Sequence, residues 1–398
     1  MATDHSVRNV VLLALSQACM MIITSTLLAE AALVGHELAP DKTLATLPFA
    51  LQQLGVMATT IPASLLMRRI GRRWGFSIGA AFGIVGTGVA TWGTLRGSFV
   101  LFCAGTAVNG GFNGFATYYR FAAVEGARPE WKNRAISFVL AGGVLAAAIG
   151  PELAKYTKDL LAPIAFAGSF ASLIGVAILA LVLLQFIAIP LPREEGPRPL
   201  GRPLARIMAQ PVFIVALLGA TVGYSVMSFV MTATPLAMQA CGFAFGATAS
   251  VIQWHIMAMF APSFVTGHII GRFGVLNVMM IGAGLLLACV AVDLSGIELW
   301  NFFVGLVALG VGWNFLFVGG TTLVTEAYRP EERAKVQAAN DFIMFATLAI
   351  ASVASGAIEQ NFGWTVVNLV PLPLIAVALG GTVWLAMRRR PSIVLVQQ

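Results

Sequence analysis

Charged residues are scarce in this chain. Aspartate, glutamate, lysine and arginine make up 10% of the 398 residues, whereas 58% are apolar. A soluble globular protein carries about 25% charged residues, so this chain has too few charges to cover the surface of a water-soluble fold. The composition excludes an ordinary soluble enzyme and predicts a protein embedded in a lipid bilayer.

Cysteine is also rare, and its spacing carries no chemistry. The four cysteines, Cys19, Cys103, Cys241 and Cys289, contain no CxxC pair and give no disulfide framework. The sequence has no phosphate-binding P-loop, no HExxH motif and no Ser/His/Asp set in a plausible extramembrane domain. These absences predict a protein that is not an enzyme, is not driven by nucleotide hydrolysis and holds no permanent cofactor.

Long apolar stretches are the dominant feature. A helix needs about 20 apolar residues to cross a bilayer, and twelve stretches of this kind recur along the chain. They cover residues 9–34, 43–67, 75–95, 98–120, 135–157, 162–190, 210–234, 247–270, 275–294, 297–324, 336–358 and 364–387. The sequence predicts an all-α membrane protein with twelve transmembrane helices and surrounding lipid as its partner.

Lysine and arginine are distributed unequally between the two sides of this predicted bundle. Of the 24 basic residues, 20 fall on one side and four on the other, namely Lys42, Arg96, Lys155 and Lys158. Because loops rich in Lys and Arg stay in the cytoplasm, both termini are predicted to be cytoplasmic and the protein to lie in the inner membrane. The net charge of +7 is then a topology signal and not a surface for nucleic acid.

The chain repeats itself at an offset of 201–203 residues for three motifs, and a fourth recurs at the same place in each half. The pairs are Glu125-Gly-Ala-Arg128 with Glu326-Ala-Tyr-Arg329, Gly111-Phe-Asn113 with Gly312-Trp-Asn314, Arg134-Ala135 with Arg333-Ala334, and Arg69-Ile-Gly71 with Arg272-Phe-Gly274. The repeat predicts two pseudo-symmetric six-helix halves, residues 1–190 and 210–398. Between them lies a Pro-rich, charged linker, residues 191–209.

The segment between the second and third spans reads Ser64-Leu-Leu-Met-Arg68-Arg69-Ile-Gly71-Arg72-Arg73. It resembles the motif Gly-x-Leu-x-Asp-Arg-x-Gly-Arg-Arg of the major facilitator superfamily, with Ser64 in place of Gly and Arg68 in place of Asp. The resemblance implies a monomeric transporter whose two halves rock to alternate access. It also implies that Arg69, Gly71, Arg72 and Arg272 help to close the cytoplasmic gate.

Two short motifs in the seventh and eighth spans could bind a soft metal ion. Met227 and Met231 are four residues apart, as are His255 and Met259, so each pair lies on one face of its helix. Thioether and imidazole ligands select Cu(I) over hard cations. Methionine is also an ordinary filler of apolar cores, and a histidine bonded to a backbone carbonyl would fit the same sequence.

These paired MxxxM and HxxxM motifs resemble those of the CcoA-like copper importers. That resemblance implies uptake of copper, as transported substrate, into the bacterial cytoplasm for haem–copper oxidase assembly. The alternative hypothesis is a carrier of a small organic solute such as riboflavin, or of an amphiphilic drug, in which Met and Trp form an apolar pocket. A receptor or assembly factor that binds copper without transporting it is a third, less favoured hypothesis.

Several other polar or soft residues lie inside predicted spans. Asp341 is a candidate for binding a proton or for pairing with an arginine such as Arg120. Asn113 and Asn314 are candidates for lining the pathway or for hydrogen bonding between helices. Cys19 and Met20 are candidates for passing on a soft ion or for simple packing.

Overall fold

The computed structural model describes residues 6–125, 132–189 and 201–389. A backbone in lipid has no water to bond, so helices, which satisfy their own N–H and C=O groups, are the expected solution. The described α-helices are α1 (Ser6–Leu38), α2 (Leu47–Ile70), α3 (Arg72–Leu95), α4 (Phe99–Ala116), α5 (Tyr119–Glu125), α6 (Lys132–Thr157), α7 (Ala167–Leu184), α8 (Leu204–Met208), α9 (Pro211–Ala240), α10 (Phe245–Phe260), α11 (Ser263–Phe273), α12 (Val275–Leu294), α13 (Leu299–Val324), α14 (Arg333–Leu369) and α15 (Pro371–Arg389).

The helices match the twelve predicted spans. Within the described ranges, nine helical segments are long and apolar enough to cross a membrane. One of them, Lys335–Arg389, has 55 residues; Gly363, at φ 75°, breaks it into two spans. The consecutive helices α10 and α11 make one span bent by 43°, and α6, with 26 residues, is long enough for another. The prediction of an all-α, twelve-span membrane protein is confirmed.

The helices of the two halves pack in equivalent pairs. Helix α1 packs on α6 and α7, and at the equivalent place α9 packs on α14 and α15. Helix α4 packs on α2 and α3, as α13 packs on α10 and α12. The halves meet through α2 with α14 and through α6 with α10, which are again equivalent. The exact boundaries at 190 and 209 stay a prediction, and residues 190–200 lie outside the described part of the chain.

The repeated Arg-x-Gly motif makes the same turn in both halves. Gly71 ends α2 with φ 85°, and Gly274 ends α11 with φ 83°. Each glycine N–H donates to the carbonyl four residues earlier, Met67 O at 3.0 Å and Ile270 O at 2.8 Å. A side chain is strained at such positive φ values, which explains why glycine recurs at this position.

One predicted span differs from its helix. The sixth span was expected over residues 162–190, whereas α7 covers Ala167–Leu184. Phe166 has a left-handed backbone, φ 64°, and its N–H donates to Lys158 O at 2.9 Å. The chain therefore turns between residues 158 and 166, and the helix begins only after this turn.

The two halves are in contact at one end of the bundle. We call the end that carries Lys42, Arg96, Lys155 and Lys158 the lysine end, and the opposite end the arginine end. At the lysine end Thr46 Oγ1 donates to Val353 O in the second half at 3.3 Å. The ring of Phe166 also packs edge-on against Phe245, with centroids 5.2 Å apart. These contacts close the lysine end between the halves.

Candidate functional site

Met227 and Met231 lie one turn apart on α9. Their side chains are 3% and 2% exposed. Helix α9 packs against α13 and α14, and Ser228, beside Met227, shares a 2.8 Å hydrogen bond with Ser352 of α14. Both methionines therefore lie within the packed second half.

His255 is fully buried on α10. Its Nδ1 atom lies 2.7 Å from the carbonyl oxygen of Leu306 on α13. Because a carbonyl oxygen only accepts, Nδ1 carries the proton and Nε2 keeps a lone pair. Nε2 has no hydrogen-bond partner among the described residues, so this imidazole could act as an acceptor or ligand.

Met259 is also buried, one turn further along α10. In the part of the chain that the structure describes, no three His, Cys, Asp or Glu side chains are grouped to hold a metal ion. A copper site here would thus depend on thioethers and one imidazole. The union of the Met227–Met231 pair with the His255–Met259 pair in one cage stays a prediction.

An aromatic cluster lies next to these residues. It consists of five rings from four spans, Tyr224, Phe260, Trp313, Phe317 and Phe345. The Tyr224 ring centroid lies 5.2 Å from Trp313, 5.4 Å from Phe317 and 6.3 Å from Phe345. Trp313 and Phe317 stack at 5.0 Å, and Phe260 lies 5.9 Å from Trp313.

Four of these rings, all except Trp313, are only half-buried. The cluster therefore leaves part of its flat apolar surface exposed. No motif in the sequence identified these residues. The sequence pattern that could have identified them is the spacing of Trp313 and Phe317, which lie four residues apart on one helix face. Apolar spans contain many such pairs, however.

Charged side chains adjoin the aromatic cluster. Arg120, an exposed residue of α5, interacts electrostatically with Asp341 of α14 and with Tyr224. Asp341 accepts a hydrogen bond from Asn340 at 3.1 Å, and Tyr118 also lies within its electrostatic reach. Arg120 and Asp341 belong to different halves, so the charged groups beside Tyr224 connect the two halves.

Asn113 links two helices of the first half. Its Nδ2 lies 3.0 Å from Thr24 Oγ1 on α1, and the Thr24 hydroxyl in turn lies 3.1 Å from Met20 O and 3.6 Å from Met20 Sδ. Asn113, Met20 and the neighbouring Cys19 are 8%, 6% and 5% exposed. The structure thus brings Met20 and Asn113 together through Thr24, and their part in a pathway stays a prediction.

Asn314 stabilises the bend between α10 and α11. Pro262, at this bend, has no N–H, and such breaks leave backbone carbonyls without partners. The Asn314 Nδ2 donates to Met259 O at 2.7 Å and to Ser263 Oγ at 2.6 Å. Thr266 Oγ1 donates to Asn314 Oδ1 at 2.7 Å. All of these contacts join α13 to the bent span, and a role in the pathway stays untested.

The predicted gating residues lie at the arginine end. Arg72 pairs with Glu125, Nη2 to Oε1, at 2.5 Å. Arg69 and Arg272 are exposed, and the Arg272 guanidinium lies 5.5 Å from the ring of Phe273. Gly71 is the turn residue described above. The placement agrees with a surface at the mouth of the bundle, while a gating role stays a prediction.

A second ion pair at this end anchors the last part of the predicted linker. Arg202 Nε donates to Glu332 Oε1 at 2.9 Å, and Arg202 Nη2 donates to Oε2 at 2.6 Å. These hydrogen bonds hold the pKa of Glu332 well below its usual range. Residues 201–208 are thereby tied to the second half.

Comparisons with known proteins agree with this architecture. The profile of the Major Facilitator Superfamily matches residues 13–292 and 220–396. The riboflavin transporter RfnT of Brucella anthropi is 40% identical over 387 residues, which cover 97% of this chain and 96% of that protein. YdeG of Bacillus subtilis, an uncharacterised transporter of the same superfamily, is 29% identical over 378 residues, covering 89% and 86%.

Two solved structures share the fold. The D-xylose-proton symporter superposes with a TM-score of 0.72 at 15% identity, over 95% of this chain and 97% of that one. The nucleoside transporter NupG superposes with a TM-score of 0.68 at 14% identity, over 94% and 99%. Together with the paired packing of the two halves, these matches place the chain in the Major Facilitator Superfamily, as a multi-pass membrane transporter and not an enzyme.

Proposed function

We propose that this transporter carries a flat heteroaromatic solute of the riboflavin type into the cell. The observation that carries the proposal is the aromatic cluster around Tyr224, most of whose rings are half-buried and which adjoins charged residues of both halves. Aromatic rings bind other flat rings by stacking or edge-to-face contact. The 40% identity with a riboflavin transporter over nearly the whole chain supports this substrate class over copper.

The charged neighbours suit the polar parts of such a solute. Solute sites are mostly apolar, with a few polar groups that fix orientation. Arg120 and Asp341 border the aromatic cluster and come from different halves. A solute that stacks on the rings and bonds both charges would contact both halves at once, which is what alternating access requires.

The direct test is uptake by purified protein in liposomes. Radiolabelled riboflavin should enter faster than into protein-free vesicles, and liposomes loaded with unlabelled riboflavin should show counterflow. Excess unlabelled riboflavin should compete with the label, and Cu(I) should not. Absence of both uptake and counterflow in a preparation that stays folded would rule out riboflavin as substrate.

Copper import is the second candidate, and the observation in its favour is the Nε2 of His255, which has no hydrogen-bond partner in the described ranges. A histidine that donates its Nδ1–H to a backbone carbonyl is oriented as metal-binding histidines are. Met259 and the Met227–Met231 pair would supply thioethers, ligands that favour Cu(I). Uptake of labelled copper by the same liposomes tests this candidate directly.

We further propose that the protein works as a monomer in the inner membrane, with both termini in the cytoplasm and without a permanent cofactor. The excess of basic residues at the arginine end supports this orientation. The lysine end would then face outward. The halves are in contact at this end through Thr46 with Val353 and Phe166 with Phe245.

A further inference from the structure

Glu30 is a fully buried carboxyl group on α1, near the lysine end. Its Oε1 lies 2.8 Å from Ser169 Oγ at the start of α7. Its Oε2 has no hydrogen-bond partner among the described residues. An ionised carboxylate without full pairing is strongly disfavoured in such a site. The environment of Glu30 therefore favours the protonated acid in this conformation.

The hydrogen bonds around Ser169 agree with a protonated Glu30. Ser169 Oγ also lies 3.2 Å from the carbonyl oxygen of Ala154 on α6. A serine hydroxyl has one proton to donate, and neither a carboxylate nor a carbonyl can donate. Both contacts are satisfied together when Glu30 donates to Ser169 and Ser169 donates to Ala154. An ionised Glu30 would instead accept the hydrogen bond of the Ser169 hydroxyl, and Ser169 would then no longer donate to Ala154.

The same backbone segment contacts the other half of the protein. Ala154 O also accepts the N–H of Lys158 at 3.0 Å, and Lys158 O accepts the N–H of Phe166 at 2.9 Å. The Phe166 ring packs on Phe245 of the second half, and the Lys158 ammonium lies 5.7 Å from that ring. A cation above an aromatic face is attracted to it. The segment 158–166 thus links Glu30 to the closure of the lysine end.

Lys158 is the charged group that acts on Glu30. Its ammonium is attracted to the Phe245 ring and, when Glu30 is ionised, also to that carboxylate. The exposed Asp159 lies 3.4 Å from the same ammonium. Further along α1, His36 and Glu37 interact with Lys42 instead. Ser169, which α7 contributes, carries no charge.

We propose that Glu30 is a proton-binding site that controls closure of the lysine end. With the proton bound, Lys158 stays over Phe245 and the halves remain in contact. When the proton leaves to water, the carboxylate draws the Lys158 ammonium and the Ser169 hydroxyl toward itself, and the contact with Phe245 loosens. The proposal does not depend on which solute is transported.

Spin labels at the lysine end can follow this closure without substrate. The Cε of Lys155 lies 3.7 Å from where a Cβ on Gly246 would lie, so Lys155→Cys and Gly246→Cys place two labels close together across the halves. The background is Cys241→Ser, because Cys241 is exposed whereas Cys19, Cys103 and Cys289 are buried. The labels are attached first and the pH is changed afterwards, so thiol chemistry does not affect the result.

The parent protein carries Cys241→Ser and the spin-labelled Lys155→Cys and Gly246→Cys. In this parent, the short-distance population should predominate at acidic pH and fall as the pH rises. Glu30→Gln is uncharged at every pH and its amide N–H can donate to Ser169 as the protonated acid does, so it should stay closed throughout. Glu37→Gln, on the same helix, should respond to pH as the parent does. If the parent shows no pH response, or if Glu30→Gln keeps it, the proposal is wrong.

Lys158→Gln is the second variant, and it decides the matter should Glu30→Gln fail to fold. Removing the ammonium leaves Glu30 free to titrate but takes away the group that moves. The pH response should then fall to less than half of that in the parent. A Lys158→Gln protein that responds as fully as the parent would overturn the proposal.

Discussion

Arg72 and Glu125 form a two-pronged ion pair at the arginine end of the first half. Arg72 Nε lies 3.0 Å from Oε2 and Nη2 lies 2.5 Å from Oε1. Glu326, the counterpart of Glu125 in the second half, pairs instead with Arg389 at 2.7 Å. The residue that follows Gly274 is Val275 and not arginine, so the second half takes its arginine from the last helix.

This pair fastens α5 to the start of α3, and we expect it to affect transport more than stability. The Glu125 side chain is 39% exposed, and a pair of this kind contributes up to about 1 kcal/mol. Glu125→Gln should therefore barely change the melting temperature in detergent while it slows uptake. Glu152→Gln, which disrupts an exposed pair with Lys155, is the control and should leave both unchanged. Equal uptake rates for the two variants would argue against a gating role of Arg72.

The aromatic cluster should bind the substrate through its rings. Phe345→Leu keeps an apolar side chain but removes a flat ring, and aromatic contacts are worth about 0.5–1.5 kcal/mol. The KM for riboflavin should rise by up to about tenfold, with little change in protein abundance. Phe342→Leu lies on the same helix, is 55% exposed, and should leave the KM unchanged. Identical KM values would remove the cluster from the binding site.

Variants of the two methionines distinguish transport of the organic solute from transport of copper. Met→Leu nearly conserves volume and costs less than about 1.5 kcal/mol in a packed core, but it deletes the sulfur ligand. We expect the Met227→Leu, Met231→Leu double variant to keep riboflavin uptake, with Met57→Leu as the control. A variant that instead loses copper accumulation at limiting copper, while the control retains it, would establish the copper hypothesis. We expect His255→Ala, like the double variant, to keep riboflavin uptake.

Two glycines on α3 differ sharply in their surroundings. A Cβ on Gly86 would lie 2.5 Å from the backbone nitrogen of Asn109 on α4, whereas a Cβ on Gly88 would meet nothing within 4 Å. Close backbone approach of this kind depends on small residues. Gly86→Ala should cost about 1–3 kcal/mol and reduce the monodisperse fraction in detergent. Gly88→Ala should be neutral or slightly stabilising; equal losses would contradict this α3–α4 packing.

Cys241 provides a native probe of orientation. It follows α9 at the lysine end and is exposed, whereas the other three cysteines are buried. An impermeant maleimide added to intact cells should label it, and Cys241→Ser should abolish the signal. Partial burial, and secondarily Glu359, raises the pKa of the thiol, and the thiolate is the reactive form. Labelling should therefore accelerate as pH rises; labelling only after permeabilisation would reverse the predicted orientation.

The sequence by itself determined the fold class. Scarce charge and recurrent apolar stretches require a membrane protein, because lipid accepts apolar helices and excludes unpaired polar groups. The repeat of Glu125 as Glu326 and of Gly71 as Gly274 specified two equivalent halves, since a glycine turn and the helices around it depend on local residues.

Only the tertiary structure decided which side chains meet. The rings of Tyr224, Trp313 and Phe345 come from three different helices, and nothing in their local sequence distinguishes them from other apolar residues. Glu30 lay unassigned in an apolar stretch until the approach of Ser169, 139 positions away, gave its carboxyl group a partner. Helix periodicity gives the face on which a residue lies, whereas its partner depends on how whole helices pack, which is why the site could not be obtained from the sequence alone.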